Sequence, residues 1–315
     1  MNSTKITRRT LIKGSLVTGV LVAASNVLPA AVLATENIAT IQHPLKNGKK
    51  YTDKGRCPNC GMMLNMWART RQEFKNSEGT FSTCSIRCMA DMSQNSGEKP
   101  QDAKTALYLH PEKMVSVESA FYVIGSSARG TMTMKSKLAF ATEADAAKFQ
   151  KQYGGKIATF QTAFAAATKE LSMSRPKIEM KRKKMGKIAE PTAESRCVVC
   201  GMYPARYPEH RCQVMTGDGK THHFCSSQCL VNFLAKPKEY LKKDVKVKSA
   251  WVTIPQEQSY EYAMGLYYLV GSSITGPMGK EAIPYRSKAM VQAAASKHGG
   301  KVVRFNKLTP LLIKQ

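Results

Sequence analysis

Cys57-Pro58-Asn59-Cys60-Gly61-Met62 is followed by Cys84-Ser85-Ile86-Arg87-Cys88, and both motifs return later in the chain. The second occurrence reads Cys197-Val198-Val199-Cys200-Gly201-Met202, then Cys225-Ser226-Ser227-Gln228-Cys229. The offset is 140 at the first pair (197 against 57) and 141 at the second (225 against 84). Two further landmarks keep the same order. Phe121-Tyr122-Val123-Ile124-Gly125-Ser126-Ser127 matches Tyr267-Tyr268-Leu269-Val270-Gly271-Ser272-Ser273, and Gly154-Gly155-Lys156 matches Gly299-Gly300-Lys301. Ordered self-similarity at a near-constant offset marks a duplicated domain. The expected organisation is a first domain over 50–170, a basic linker over 171–190 and a second domain over 191–310. The 13 residues 175–187 carry seven cations against Glu179 alone. Self-repulsion in such a run predicts a solvated, extended connection.

Each copy reads as α+β, a small sheet packed by helices and carrying a CxxC/CxxxC metal-binding element. Residues 117–124, 138–141 and 156–160 are short and apolar or β-branched, which predicts strands. Thr142, with Asp145 three residues on, predicts a capped helix start. Ala146, Phe149 and Tyr153 then share one helical face, and Gly154-Gly155 stops the helix. In the second copy Ser287 is the expected cap, Met290, Ala293 and Ala294 the inward face, and Gly299-Gly300 the stop.

Of nine cysteines, eight form two sets of C-x2-C plus C-x3-C: Cys57, Cys60, Cys84 and Cys88, then Cys197, Cys200, Cys225 and Cys229. A C-x2-C turn converges two thiolates on one ion, and C-x3-C at a helix start sets two sulfurs about one turn apart. Disulfides satisfy the same arithmetic, but pairs that close such short loops add little stability. Metal is therefore the favoured reading. Cys212 is the leftover cysteine, with Gln72 at its place in the first copy. Thiolate sites suit zinc, copper(I) and iron–sulfur clusters. Met62 and Met202 follow each CxxCG, and Met132 and Met278 hold matching later places. Thioethers favour copper(I). His222 and His223, just before Cys225, offer imidazoles to the second copy only.

The leader, 1–34, reads as an export signal: Arg8-Arg9 followed by two apolar residues and Lys13 resembles the twin-arginine signature, and an uncharged apolar stretch follows. Export to the periplasm and cleavage are expected. The whole chain carries +26, and the leader holds four cations, so +22 remains. An exported chain excludes nucleic acid as the partner. Its basic surface suits anionic lipid headgroups, an acidic protein or plain solubility. No nucleophile elbow, phosphate loop or supported His–carboxylate pair points to hydrolysis, and no enzyme is expected.

The ordered set — CxxCGM, a Cys-bearing helix, Pro277-Met278-Gly279 and His298-Gly299-Gly300-Lys301-Val302-Val303 — resembles the nitrous oxide reductase accessory protein family, NosL. The second copy matches more closely than the first, where Thr131-Met132 replaces Pro-Met. The resemblance implies a periplasmic copper(I)-binding protein that helps supply the copper-sulfide centre of nitrous oxide reductase, with that enzyme or its assembly factors as partners. It implicates Cys60, Met62 and Met132 in one copy and Cys200, Met202 and Met278 in the other. Two departures stand out. Thr35 occupies the place of a lipid-bearing cysteine, and the C-x3-C pairs exceed the family's usual ligands, so structural zinc is a second candidate metal. The competing readings are a zinc-stabilised interaction module and a thiol–disulfide oxidoreductase. Against the last, the Gly-Met after each CxxC departs from a thioredoxin-like pattern, and no βαβ unit precedes it.

Overall fold

A computed structural model describes residues 55–314. The twin-arginine leader and the start of the first expected domain lie outside the described residues.

In the first copy the chain runs β1 (Gln72–Asn76), β2 (Gly79–Thr83), α1 (Ile86–Ser96), β3 (Gln101–Ala106) and β4 (Met114–Ser116). It continues β5 (Phe121–Ile124), β6 (Lys137–Phe140), α2 (Glu143–Tyr153), β7 (Lys156–Ala158), α3 (Phe160–Lys169) and α4 (Leu171–Lys184). The second copy follows with β8 (Cys212–Thr216), β9 (Thr221–Phe224), α5 (Ser227–Ala235), α6 (Pro237–Leu241), β10 (Val247–Ile254) and β11 (Ser259–Tyr262). It closes with β12 (Tyr267–Val270), the hairpin β13 (Thr275–Gly276) and β14 (Gly279–Lys280), β15 (Ile283–Tyr285), α7 (Lys288–His298), β16 (Lys301–Arg304) and α8 (Pro310–Lys314).

The two main sheets of the first copy recur in the second with the same strand order, and the β13–β14 hairpin is added in the second copy. The first copy has sheets β2-β1-β3-β4 and β6-β5-β7, and the second has β9-β8-β10-β11 and β15-β12-β16. All pairings are antiparallel. The mixed α+β character predicted for each copy is what the structure shows.

Local signals explain the helix ends. Thr142 accepts from the Asp145 amide and Gly154 ends α2, as predicted. Ala146 and Phe149 are buried, with Tyr153 packed beside them. In α7, Ser287 accepts from the Met290 amide. The inward face there is Val291 with Ala294 and Ala295, whereas Met290 and Ala293 are exposed. The expected face is thus rotated by about one residue, because Val291 is the single large β-branched apolar side chain able to fill the gap against β12.

The extended linker is overturned. Residues 171–184 form α4, with Ser174 and Arg182 buried. Two of the run's cations pair with carboxylates distant in sequence, one in each copy. Arg175 pairs with Asp91 of the first copy at 2.9 Å, and Arg182 pairs with Glu261 of the second at 3.0 Å. The Arg182 guanidinium also lies 4.8 Å above the Trp251 ring. The connection is a strut fixed to both copies.

The copies also meet directly. Tyr267 donates to Glu78 at 3.0 Å and Arg304 pairs with the same carboxylate at 3.2 Å. Among the described residues no helix is long and apolar enough to cross a membrane.

Candidate metal centres

Each CxxC forms a knuckle. The Cys57 amide donates to the Met62 carbonyl at 2.8 Å and the Gly61 amide returns to the Cys57 carbonyl at 2.8 Å; Cys197, Met202 and Gly201 repeat this at 2.7 and 2.8 Å. Closing the knuckle requires left-handed backbone at Gly61 (φ 74°) and Gly201 (φ 76°), which glycine adopts without a Cβ penalty. An arginine one residue before each motif buttresses it: Arg56 donates to the Gly61 carbonyl at 2.7 Å, and Arg196 to the Gly201 carbonyl at 3.1 Å. Neither arginine was singled out from the sequence, although their recurrence at the same offset was the available signal.

The C-x3-C pairs sit at helix N-termini, as their spacing predicted. Ser85 caps α1 by accepting from the Cys88 amide, and Ser226 caps α5 by accepting from the Cys229 amide. The first cysteine of each pair precedes the cap and the second lies in the first turn, where the helix dipole favours thiolate.

The result is two four-sulfur clusters, Cys57/Cys60/Cys84/Cys88 and Cys197/Cys200/Cys225/Cys229, each with all its sulfurs within 4.8 Å of one another. Cys60–Cys84 and Cys84–Cys88 are 3.5 and 3.6 Å apart; Cys200–Cys225 and Cys225–Cys229 are 3.4 and 3.7 Å. A tetrahedral ion with metal–sulfur bonds of about 2.3 Å needs sulfurs about 3.8 Å apart. The spacing fits one ion per cluster, and all nine cysteines stand as free thiols.

Electrostatics treats the thiols of each cluster unequally. Hydrogen bonds from Cys57, Cys60 and Cys84 hold Cys88 well below the usual thiol range, with Arg87 adding to the effect. Burial first, then thiol neighbours, push Cys57 up, and hydrogen bonding with the other thiols pushes Cys84 up. In the second cluster hydrogen bonds from Cys225 and Cys229 depress Cys197, while the contact with Cys197 is the leading cause that pushes both Cys225 and Cys229 up. Four adjacent thiolates repel one another without a cation, so metal entry must displace protons.

The predicted methionines are placed unequally. Met62 and Met132 pack against the first cluster. Met132 holds a left-handed backbone (φ 57°), rare for a residue with a side chain. Thr70 Oγ1 lies 2.7 Å from both the Cys84 carbonyl and the Thr131 hydroxyl, tying the Met132 turn to the cysteine loop. Met202 packs on the second core. Met278, at the tip of the β13–β14 hairpin, is 37% exposed.

His222 and His223 lie on β9 outside the four-sulfur group. Cys212 is buried and is not a member of that group, donating instead to the His210 carbonyl. Sequence reasoning also missed Glu281. Its carboxylate accepts from the Ser227 hydroxyl and from the Gln228 amide at 3.2 Å, at the start of the cysteine-bearing α5.

The two centres differ in cover. The Tyr262 ring of the second copy stands 2.8 Å from where a Cβ on Gly61 would lie, and Gly265 packs on the Pro58 and Asn59 backbone. Nothing comes within 4 Å of the same point on Gly201. Cys60 is 4% exposed, whereas Cys200 is half-buried.

The sequence model of the NosL family matches residues 49–166 and again 188–313. The chain is 29% identical over 135 residues to the copper-binding lipoprotein NosL of Stutzerimonas stutzeri, covering 40% of this chain and 70% of that protein. The crystal structure of the copper chaperone NosL from Shewanella denitrificans shares 27% identity, covers 39% of this chain and 95% of that one, and superposes with a TM-score of 0.35.

Proposed function

Because the chain belongs to the NosL family, with two copies of the family's domain in tandem, we propose that it is a copper(I)-binding metallochaperone rather than an enzyme. One observation carries this reading. In each copy a thioether stands two residues after the second CxxC thiol of a four-sulfur cluster, Met62 after Cys60-Gly61 and Met202 after Cys200-Gly201, and in the first copy Met62 and Met132 pack on that cluster. Thioethers are poor zinc ligands and good copper(I) ligands. The curated relative, a copper-binding lipoprotein, supports the same assignment.

The four-sulfur geometry itself suits zinc. Zinc there would hold the knuckle and the helix start together without redox chemistry. Cys57, Cys84 and Cys88 and their second-copy counterparts then act as scaffold. The Cys60/Met62/Met132 and Cys200/Met202/Met278 edges carry the transported copper, exchanging ligands one at a time so that the ion never enters water. Export to the periplasm by the twin-arginine route and delivery to nitrous oxide reductase or its assembly factors complete the proposal. The net positive chain suits an acidic acceptor or an anionic membrane surface.

Competition against a coloured copper(I) chelator tests it. Met202→Leu and Cys200→Ser are expected to weaken second-copy copper(I) binding by roughly tenfold or more. Met202→Leu should leave the zinc content unchanged. Unaltered copper affinity in both variants would refute the assignment.

A further inference from the structure

A cavity of about 260 Å³ opens beside the first centre. Cys60, with Met62 and Met132 that pack on the cluster, lines it together with the exposed Met134 and Met185. Four of its fifteen lining residues are methionine, against 17 in the 315-residue chain. Methionine commonly fills core gaps, but Met134 and Met185 are 60% and 58% exposed. Burial therefore does not account for them. Met185 closes α4, in the segment between the two family-matched regions, so the shared domain does not account for it either.

The charge of the cavity is as distinctive as its sulfur. Lys177, Lys181, Arg182 and Lys187 line it and no carboxylate does. Arg182 is matched by Glu261, which leaves three lysines, one with its Nζ 3.5 Å from the Met134 sulfur. Three cations repel a bare copper(I) ion and attract one carried by an anionic ligand.

Resting on the copper reading above, we propose that this cavity is a receiving site for copper(I) delivered as an anionic complex. The Met134 and Met185 thioethers take the ion at the mouth. It then passes inward, one ligand exchanged for another, to Met132, Met62 and the Cys60 sulfur. The copper stays copper(I) throughout, and the donor's ligand departs with its own charge. The strut between the copies is thereby part of the metal path.

The test uses the full chain carrying Cys200→Ser and Met202→Leu, which removes the exchange edge of the second copy. Stopped-flow mixing with the anionic copper(I) bis-bicinchoninate complex reads the transfer rate. Adding Met134→Leu and Met185→Leu, which conserve volume, is expected to slow transfer by roughly tenfold, the scale of losing a supporting group at a metal site. Zinc content and final copper capacity should not change. Lys177→Gln with Lys181→Gln should slow uptake from this anionic donor but not from the cationic acetonitrile complex of copper(I). An unchanged rate in the double methionine variant, with normal uptake by its parent, would overturn this inference alone. Absence of copper uptake by the wild-type chain would overturn both it and the proposed function.

Discussion

Single residues set the properties of the two centres. Gly61 and Gly201 share a backbone conformation, but only Gly61 faces a ring, that of Tyr262. Gly201→Ala is expected to cost about 1 kcal/mol, from positive φ alone. Gly61→Ala should cost more and lower the zinc content of the first copy, as read by melting temperature and elemental analysis. Equal effects would mean that Tyr262 does not press on the first knuckle. Glu281 makes a second prediction at this scale. Burial raises its carboxyl from an ordinary 4.5 to about 7, outweighing the hydrogen bonds from α5 that lower it. Protonation is thus favoured in the folded state. The stabilising contribution is fully present below pH 4.5 and is lost as pH rises through about 7. Stability should fall by up to about 3 kcal/mol across that window, and Glu281→Gln should flatten this slope in denaturant titrations at pH 5 and 8. A slope unchanged by the substitution would remove Glu281 as its source.

At the scale of elements, the cysteine motifs were legible because their geometry is local: a turn, a cap and one helical turn fix where the sulfurs point. The repeat was equally legible, and with it the α+β class of each copy. The connection between the copies was not. Its seven cations read as mutually repelling because the partners that anchor two of them, Asp91 for Arg175 and Glu261 for Arg182, lie 84 and 79 residues away. The same limit hid the cavity, which takes Trp251 from β10, Met134 from the loop before β6 and Met185 from the end of α4. The face of α7 was misread by one residue for a related reason: which of two neighbouring apolar residues turns inward depends on the sheet it meets. The ion-pair network gives α4 a measurable role. Glu261 lies between Arg182 at 3.0 Å and Arg286 at 3.1 Å. Glu261→Ala leaves two buried guanidiniums without this partner and should destabilise the protein by about 3–5 kcal/mol in equilibrium denaturation. A loss below about 1 kcal/mol, the range of exposed pairs, would mean that α4 is not anchored there.

For the whole molecule, the strut, the Tyr262 contact on the first knuckle and the ion pairs to Glu78 join two homologous copies into one body with unequal centres. The first is covered by the second copy and opens onto a methionine-lined cavity; the second presents its knuckle to solvent. Such an arrangement suits intake at one centre and hand-over at the other. The central claim is that copper(I) binds at thiol–thioether edges in addition to the metal that holds the four-sulfur clusters. It is tested most directly on full chain purified without air, by elemental analysis as isolated and then by copper(I) titration against a coloured chelator. The account predicts bound zinc, followed by tight uptake of at least one copper(I) per copy. Zinc that copper(I) can neither supplement nor displace would contradict it.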